Sequence, residues 1–187
     1  VLLGQITPRG GTISGTSSVV QFDAWNWEDA AVRTDDGVHL NWPSTHHKHS
    51  KDGKSIIGRQ KSYDQRLAEI TNYFDRARAH WEASDLRQTD QPMQAMGGLF
   101  APDDASASQT LFIHAHDAKQ IAEIIRFKRA MEIPRVVLVG GQDSWMLADP
   151  LRENNIAVML LRTHTVPRYD EDDVDLCYRL PAMLEAE

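Results

Sequence analysis

A chain of 187 residues and 21.1 kDa, 41% hydrophobic and 25% charged, is read as a single globular α/β domain spanning 1–187; disorder, collagen and coiled coil are excluded. Twenty-seven acidic against 20 basic residues give a formal charge of −7, which excludes a nucleic-acid binder built on a broad basic face. No apolar run reaches the roughly 18 residues that a bilayer span needs, so neither nucleic acid nor membrane is expected as a partner. Cys177 is the single cysteine, which excludes an intramolecular disulfide and a multi-cysteine zinc site.

The chain opens on the apolar run Val1 to Ile6, read as a buried strand entered almost at once. With Val1 in place of Met, that start points to a segment of something longer. Pro8 to Gln21 carries Gly10, Gly11 and Gly15 among Ser and Thr. It is read as a loop, either a plain connection or a wrap around a phosphate, although no Gly-Lys-Ser/Thr follows. Val38 to Trp42 reads as a short strand after an Asp36-Gly37 turn. Ser44 to Lys61, with His46, His47 and His49, reads as an exposed polar loop; a histidine cluster can bind metal, but no carboxylate or cysteine stands at a ligand spacing.

Ser62 and Gln65 have capping-box spacing. Tyr63, Leu67, Ile70, Phe74, Ala77 and Trp81 then recur at steps of 4, 3, 4, 3 and 4, the stripe of an amphipathic helix. Asp85 to Phe100 is broken by Pro92 and Gly97-Gly98, and Ala101 to Gln109 reads as a surface loop. Leu111 to Ala115 is a strand, Asp117 to Ile133 a helix capped by Asp117 with Gln120, Val136 to Gly140 a strand, Ser144 to Asn154 an interrupted helix, and Ile156 to Leu161 a strand. Pro181 can open a last helix. Continuous apolar strands alternating with helices predict parallel βαβ units covered on both faces.

In such sheets, ligand groups collect at the carboxyl ends of strands. Three positions qualify. His114 and His116, with Asp117, close the first strand. Their spacing of two puts both on one side of an extended chain, where they can hold zinc or a similar ion, or one can be bonded inside the sheet while Asp117 caps the helix. Gly140 to Trp145, with Gln142, follows the second strand and can form an anion site at a helix start or a plain turn and cap. Arg162 and His164 follow the third; His164 can be a ligand, a general base, a contact to a small-molecule substrate or an ordinary strand-end histidine, and Arg162 can contact such a substrate. No G-x-S-x-G elbow and no G-x-G-x-x-G is present. Cys177 lies among acidic residues, a poor setting for a thiolate nucleophile.

The stretch LFIHAHDAKQIAEIIRFKRAMEIPRVVLVGG resembles the amidohydrolase superfamily, in the branch near imidazolonepropionases and related dipeptidases. VLLGQITPRGGTISGTSS, WNWEDAAVRTDDGVHLNWP and the tail from Arg162 are similar to bacterial members. The resemblance touches most of the chain and is most specific over residues 110–145. It implies a partial (β/α)8 barrel covering about strands two to seven, with Leu111 to Ala115 on the fifth strand. Members cleave C–N bonds with one or two divalent metal ions held at strand ends. The first strand supplies His-x-His, the fourth a carboxylated Lys or a Glu, the fifth and sixth one His each, and the eighth an Asp. Only His114 matches, as the fifth-strand ligand. Glycine stands in VVLVGG where the sixth-strand histidine belongs, no Lys or Glu closes a fourth strand, and the first and eighth strands would lie outside this sequence.

The resemblance thus implies a central amidohydrolase segment, inactive or weakly active alone, with His114 and His116 toward a divalent metal and His164, Gln142 and Arg162 toward substrate. An anion-binding module and a non-catalytic barrel segment are the alternatives. A partial barrel would also expose sheet edges, through which the chain could self-associate. The single cysteine suits the cytoplasm or the periplasm of a bacterium alike.

Overall fold

The computed structural model describes residues 2–51, 54–59, 62–83, 90–101, 108–167 and 171–185. Its frame is a curled, six-stranded mixed sheet of half-barrel shape. In chain order the elements are β1 (Leu3–Ile6), β2 (Ile13–Gln21), α1 (Trp27–Ala30), β3 (Ala31–Asn41), β4 (His46–Lys51), β5 (Lys54–Arg59), α2 (Tyr63–Glu82), α3 (Gln91–Ala95), β6 (Thr110–Ala115), α4 (Ala118–Met131), β7 (Val136–Gly140), α5 (Ala148–Glu153), β8 (Ile156–Met159) and α6 (Leu176–Glu185). The main sheet runs β1-β2-β3-β6-β7-β8, and β4 and β5 form a separate two-stranded ribbon.

The βαβ reading holds for the second half: β3, β6, β7 and β8 are all parallel. The expectation of parallel strands throughout is corrected in the first half, where β1-β2 and β2-β3 are antiparallel. Pro8 to Gln21 is mostly the nine-residue strand β2, held by ladders to β1 on one side and β3 on the other. Asp36-Gly37 lies inside the 11-residue β3 and makes no turn. Gly37 is required at that point: a Cβ would stand 2.3 Å from the Thr110 carbonyl oxygen and 2.5 Å from the Phe112 ring. β1 forms as expected but is not buried, since Leu3 is 55% and Ile6 60% exposed. Ser44 to Lys61 holds the β4-β5 ribbon; its histidine side chains, and with them the metal reading of that cluster, lie outside the described residues.

Register places the residues of the four parallel strands in rows. Val38, Leu111, Val136 and Ile156 form one row, and Leu40, Ile113, Leu138 and Val158 the next. Both rows face the helices and form the core with Ile70, Phe74 and Ala77 of α2 and Ile121, Ile124 and Ile125 of α4. Phe127 meets Trp42 and Phe74 edge-on, at 5.4 and 5.1 Å between ring centroids, an arrangement that adds to area burial. The α2 stripe is buried at Tyr63, Ile70, Phe74 and Ala77, while Trp81 at its end is 43% exposed. Ser62 makes no side-chain capping bond to α2. α4, in contrast, opens on a formed capping box: Gln120 Oε1 accepts from the Asp117 amide at 3.0 Å. Pro181 sits inside α6 and does not open it.

Both outer strands have a free edge among the described residues. On the sheet face away from the helices, Ala157 and Met159 of β8 are exposed, with Leu161 just beyond it. The predicted exposed edges are therefore present.

Candidate functional site

Because β3, β6, β7 and β8 are parallel, their carboxyl ends meet at one rim of the sheet. The helix-free face carries two rows there. His39, Phe112, Val137 and Ala157 form one; Asn41, His114, Val139 and Met159 form the other, nearer the strand ends. The first row grows more exposed from β3 toward β8, with His39 and Phe112 buried, Val137 intermediate and Ala157 exposed; in the second, His114 is half-buried, Val139 buried and Met159 44% exposed.

The chemistry of this face centres on two histidines. His39 Nδ1 lies 2.9 Å from His114 Nε2 in a ring-to-ring hydrogen bond. His39 stacks on its register neighbour Phe112, with centroids 4.8 Å apart and planes within 12°. Beside them, Gln5 Nε2 donates to Ser17 Oγ and to Asp36 Oδ2, both at 3.1 Å, and Asp36 also pairs with Arg33 Nε at 3.1 Å. Burial above all, and then the neighbouring His114, lowers the His39 pKa from 6.5 to about 4, with Asp36 opposing; burial lowers that of His114 too.

That depression has a stability consequence. The unfolded chain takes up a proton at His39 near pH 6.5, whereas the folded chain does so only near pH 4. Between those values the unfolded state binds more protons, so stability falls as the pH drops through that window. Denaturant unfolding from pH 7 to pH 4 should show a loss of the order of 2–3 kcal/mol. His39→Asn, which has nothing to titrate, should flatten most of that slope.

His116 is placed differently from His114, although a spacing of two predicts a common side. It lies just past β6, its amide donating to Gln120 Oε1 at 3.0 Å and its carbonyl accepting from the Asp143 amide at 3.1 Å. Its ring stands over Gly140, where a Cβ would come within 2.5 Å of His116 Cε1. It lines a cavity of about 280 Å³ with Gln142, Leu161, Arg162, Thr165 and Cys177 among the other walls. The fold thus brings His116, Gln142 and Arg162 together. His114 is not among those walls, and neither is His164, which packs edge-on against Tyr178 at 5.3 Å.

The turn after β7 is a capping device. Asp143 Oδ2 accepts from the Ala118 amide at 3.0 Å, so a carboxylate from the chain itself meets the start of α4. A four-residue 3-10 turn, Ser144–Leu147, then leads into the short α5. At the glycine-rich turn it is carbonyls that are engaged: Asn41 donates from Nδ2 to Gly11 O at 2.8 Å and from its amide to Thr12 O at 2.7 Å. A cleft of about 770 Å³ opens between that turn and α2, with Trp42, Ser44, Arg66 and Tyr73 among its walls.

These residues do not assemble a metal centre on their own. Among the described residues, no group of three or more His, Cys, Asp or Glu side chains could hold an ion. β3 is the strand beside β6 and ends at Asn41, a neutral amide, and β7 ends at Gly140, which has no side chain. Strand-end reasoning on the sequence does not single out His39 or Asn41. The alternation Val38-His39-Leu40-Asn41-Trp42 holds the signal, since two polar residues between three core residues must share the opposite face.

No family model matches the chain, and no curated protein matches it either. Among solved structures, an amidohydrolase from Thermotoga maritima MSB8 superposes on 100% of this chain and 48% of its own length, with a TM-score of 0.74 and 18% sequence identity. At that identity the likeness shows an amidohydrolase-like fold and no more, and the chain spans about half of that protein's length.

Proposed function

We propose that the chain is the central segment of an amidohydrolase-like protein that hydrolyses amide or cyclic amide C–N bonds, and that it does not perform the reaction alone. The observation that supports this reading is the fold likeness, together with polar groups gathered at the rim where such folds place their ligands. Among the described residues no set of side chains fits a metal ion.

The chain's own groups can bind and orient a substrate. Arg162 and Gln142 on the 280 Å³ cavity supply donors for a carboxylate or an amide oxygen, and His116 adds a ring nitrogen. Leu160, Leu161 and Leu180 keep the same cavity apolar on its other walls. A carboxylate-bearing amide, such as an N-acyl amino acid or a dipeptide, suits that lining. Further strands are proposed to cover the free edges at β1 and β8, supplied by the rest of a longer protein or by a second copy of this chain.

Elemental analysis of the purified chain, beside a His114→Ala variant, tests the reading. Far less than one equivalent of metal is expected in both, with no hydrolysis of N-acyl amino acids or dipeptides by either. Near-stoichiometric metal that disappears in the variant, or turnover by the chain alone, would overturn it.

A further inference from the structure

We propose that His39 is a positioning residue that holds His114 in its Nδ1–H tautomer, making His114 a neutral hydrogen-bond donor to a carbonyl or carboxylate oxygen and not a metal ligand. The inference rests on the proposed site at the strand ends, but its readout does not depend on hydrolysis.

Three observations carry it. First, the 2.9 Å bond between His39 Nδ1 and His114 Nε2 contains one proton. Whichever ring donates, His114 Nε2 is either protonated or has its lone pair engaged, so it is not available to an electrophile. Second, His39 is 2% exposed, and its other nitrogen, Nε2, is buried with no hydrogen-bond partner among the described residues. A proton on that Nε2 would be a buried donor without an acceptor, the arrangement that folded proteins avoid most strictly. Third, Asp36, the carboxylate with an electrostatic influence on His39, is held by Gln5 and Arg33 and makes no bond to the ring among the described residues.

The proton of His39 therefore sits on Nδ1 and is donated to His114 Nε2. His114, neutral, then carries its own proton on Nδ1. Neither of its nitrogens has a lone pair to give, and metal ligation by imidazole needs one. What the ring offers is an N–H. The stack on Phe112 fixes the plane of His39, and so the direction from which it donates. The usual partner that sets the tautomer of a functional histidine is a carboxylate or a backbone carbonyl accepting from it. Here the partner is a donor, and it engages the Nε2 lone pair that would otherwise be left for a ligand.

The test is ¹⁵N–¹H correlation of the imidazole rings in the full 187-residue chain near neutral pH. The expected spectrum has a pyrrole-type Nδ1 and a pyridine-type Nε2 on both His39 and His114. In His39→Phe, which keeps the stack but has no donor, His114 should lose that single-tautomer signature. In His39→Asn, whose amide N–H stands close to where Nδ1 was, it should be restored. A protonated Nε2 on His114 in the native chain overturns the proposal, as does an unchanged His114 signature in a folded His39→Phe. Either result would leave the fold likeness and the proposed hydrolytic parent untouched, whereas metal uptake or turnover by the isolated chain would count against that parent reading separately.

Discussion

Gly140→His, the substitution that places a histidine at the end of β7, is expected to destabilise the chain by about 4 kcal/mol and to create no metal site. Two costs add. Gly140 has a φ of +102°, a backbone conformation that side chains rarely adopt, and forcing it costs about 1–3 kcal/mol. A Cβ there also stands 2.5 Å from His116 Cε1 and 2.9 Å from the Ala115 carbonyl oxygen. The ring could move, but the backbone oxygen is held by the Gly141 amide at 2.8 Å; such overpacking costs about 1–3 kcal/mol more. Urea denaturation gives the first number and elemental analysis checks the second claim. Adding His116→Ala should recover part of the loss but not the share that belongs to φ. Full stability in Gly140→His, or an equivalent of bound metal, would show that the end of β7 still has room for a ligand.

Phe74→Ala should cost about 3–5 kcal/mol, the range for deleting a buried aromatic ring. Phe74 is fully buried on α2 and meets Phe127 of α4 edge-on at 5.1 Å. Phe127 in turn meets Trp42, whose Nε1 donates to the Tyr63 hydroxyl at 3.1 Å, and that hydroxyl donates to Glu123. The truncation thus removes one end of an aromatic series joining α2, α4 and the end of β3. Leucine at the same position should recover a good part of the loss. A midpoint shift worth less than about 1 kcal/mol would mean that the two helices close over the gap.

The second half of this fold is legible in the sequence because its signals are local. Val136 to Gly140 is apolar throughout and bounded on both sides, and α4 announces itself with Asp117, Gln120 and a run of isoleucines. The first half misleads where side chains disagree with the backbone they occupy. β2 is rich in Ser, Thr and Gly, residues that also make loops, and it is a strand because β1 and β3 pair with it on either side. Asp36-Gly37 has turn chemistry, yet Gly37 is there to let Thr110 and Phe112 approach. The site is legible in part. Strand-end logic picks out His116, Gln142 and Arg162, which the fold does gather on one cavity. It cannot reveal His39, because the partner of that ring lies 75 residues further along and the pairing exists only once β3 and β6 are adjacent.

That separation also bears on how the chain comes together in time. β1, β2 and β3 pair antiparallel within the first 41 residues, and β6, β7 and β8 are linked by short crossovers within residues 110–159. Each group can form from nearby contacts. Among the described residues the β3-β6 ladder is the only seam between them in the sheet, and it closes across the whole intervening segment. Loop-closure entropy is lost there before any ladder bond compensates it, so that closure is expected to be slower than forming either group. The buried imidazole pair spans the same seam, so it can form only once β3 and β6 have come together.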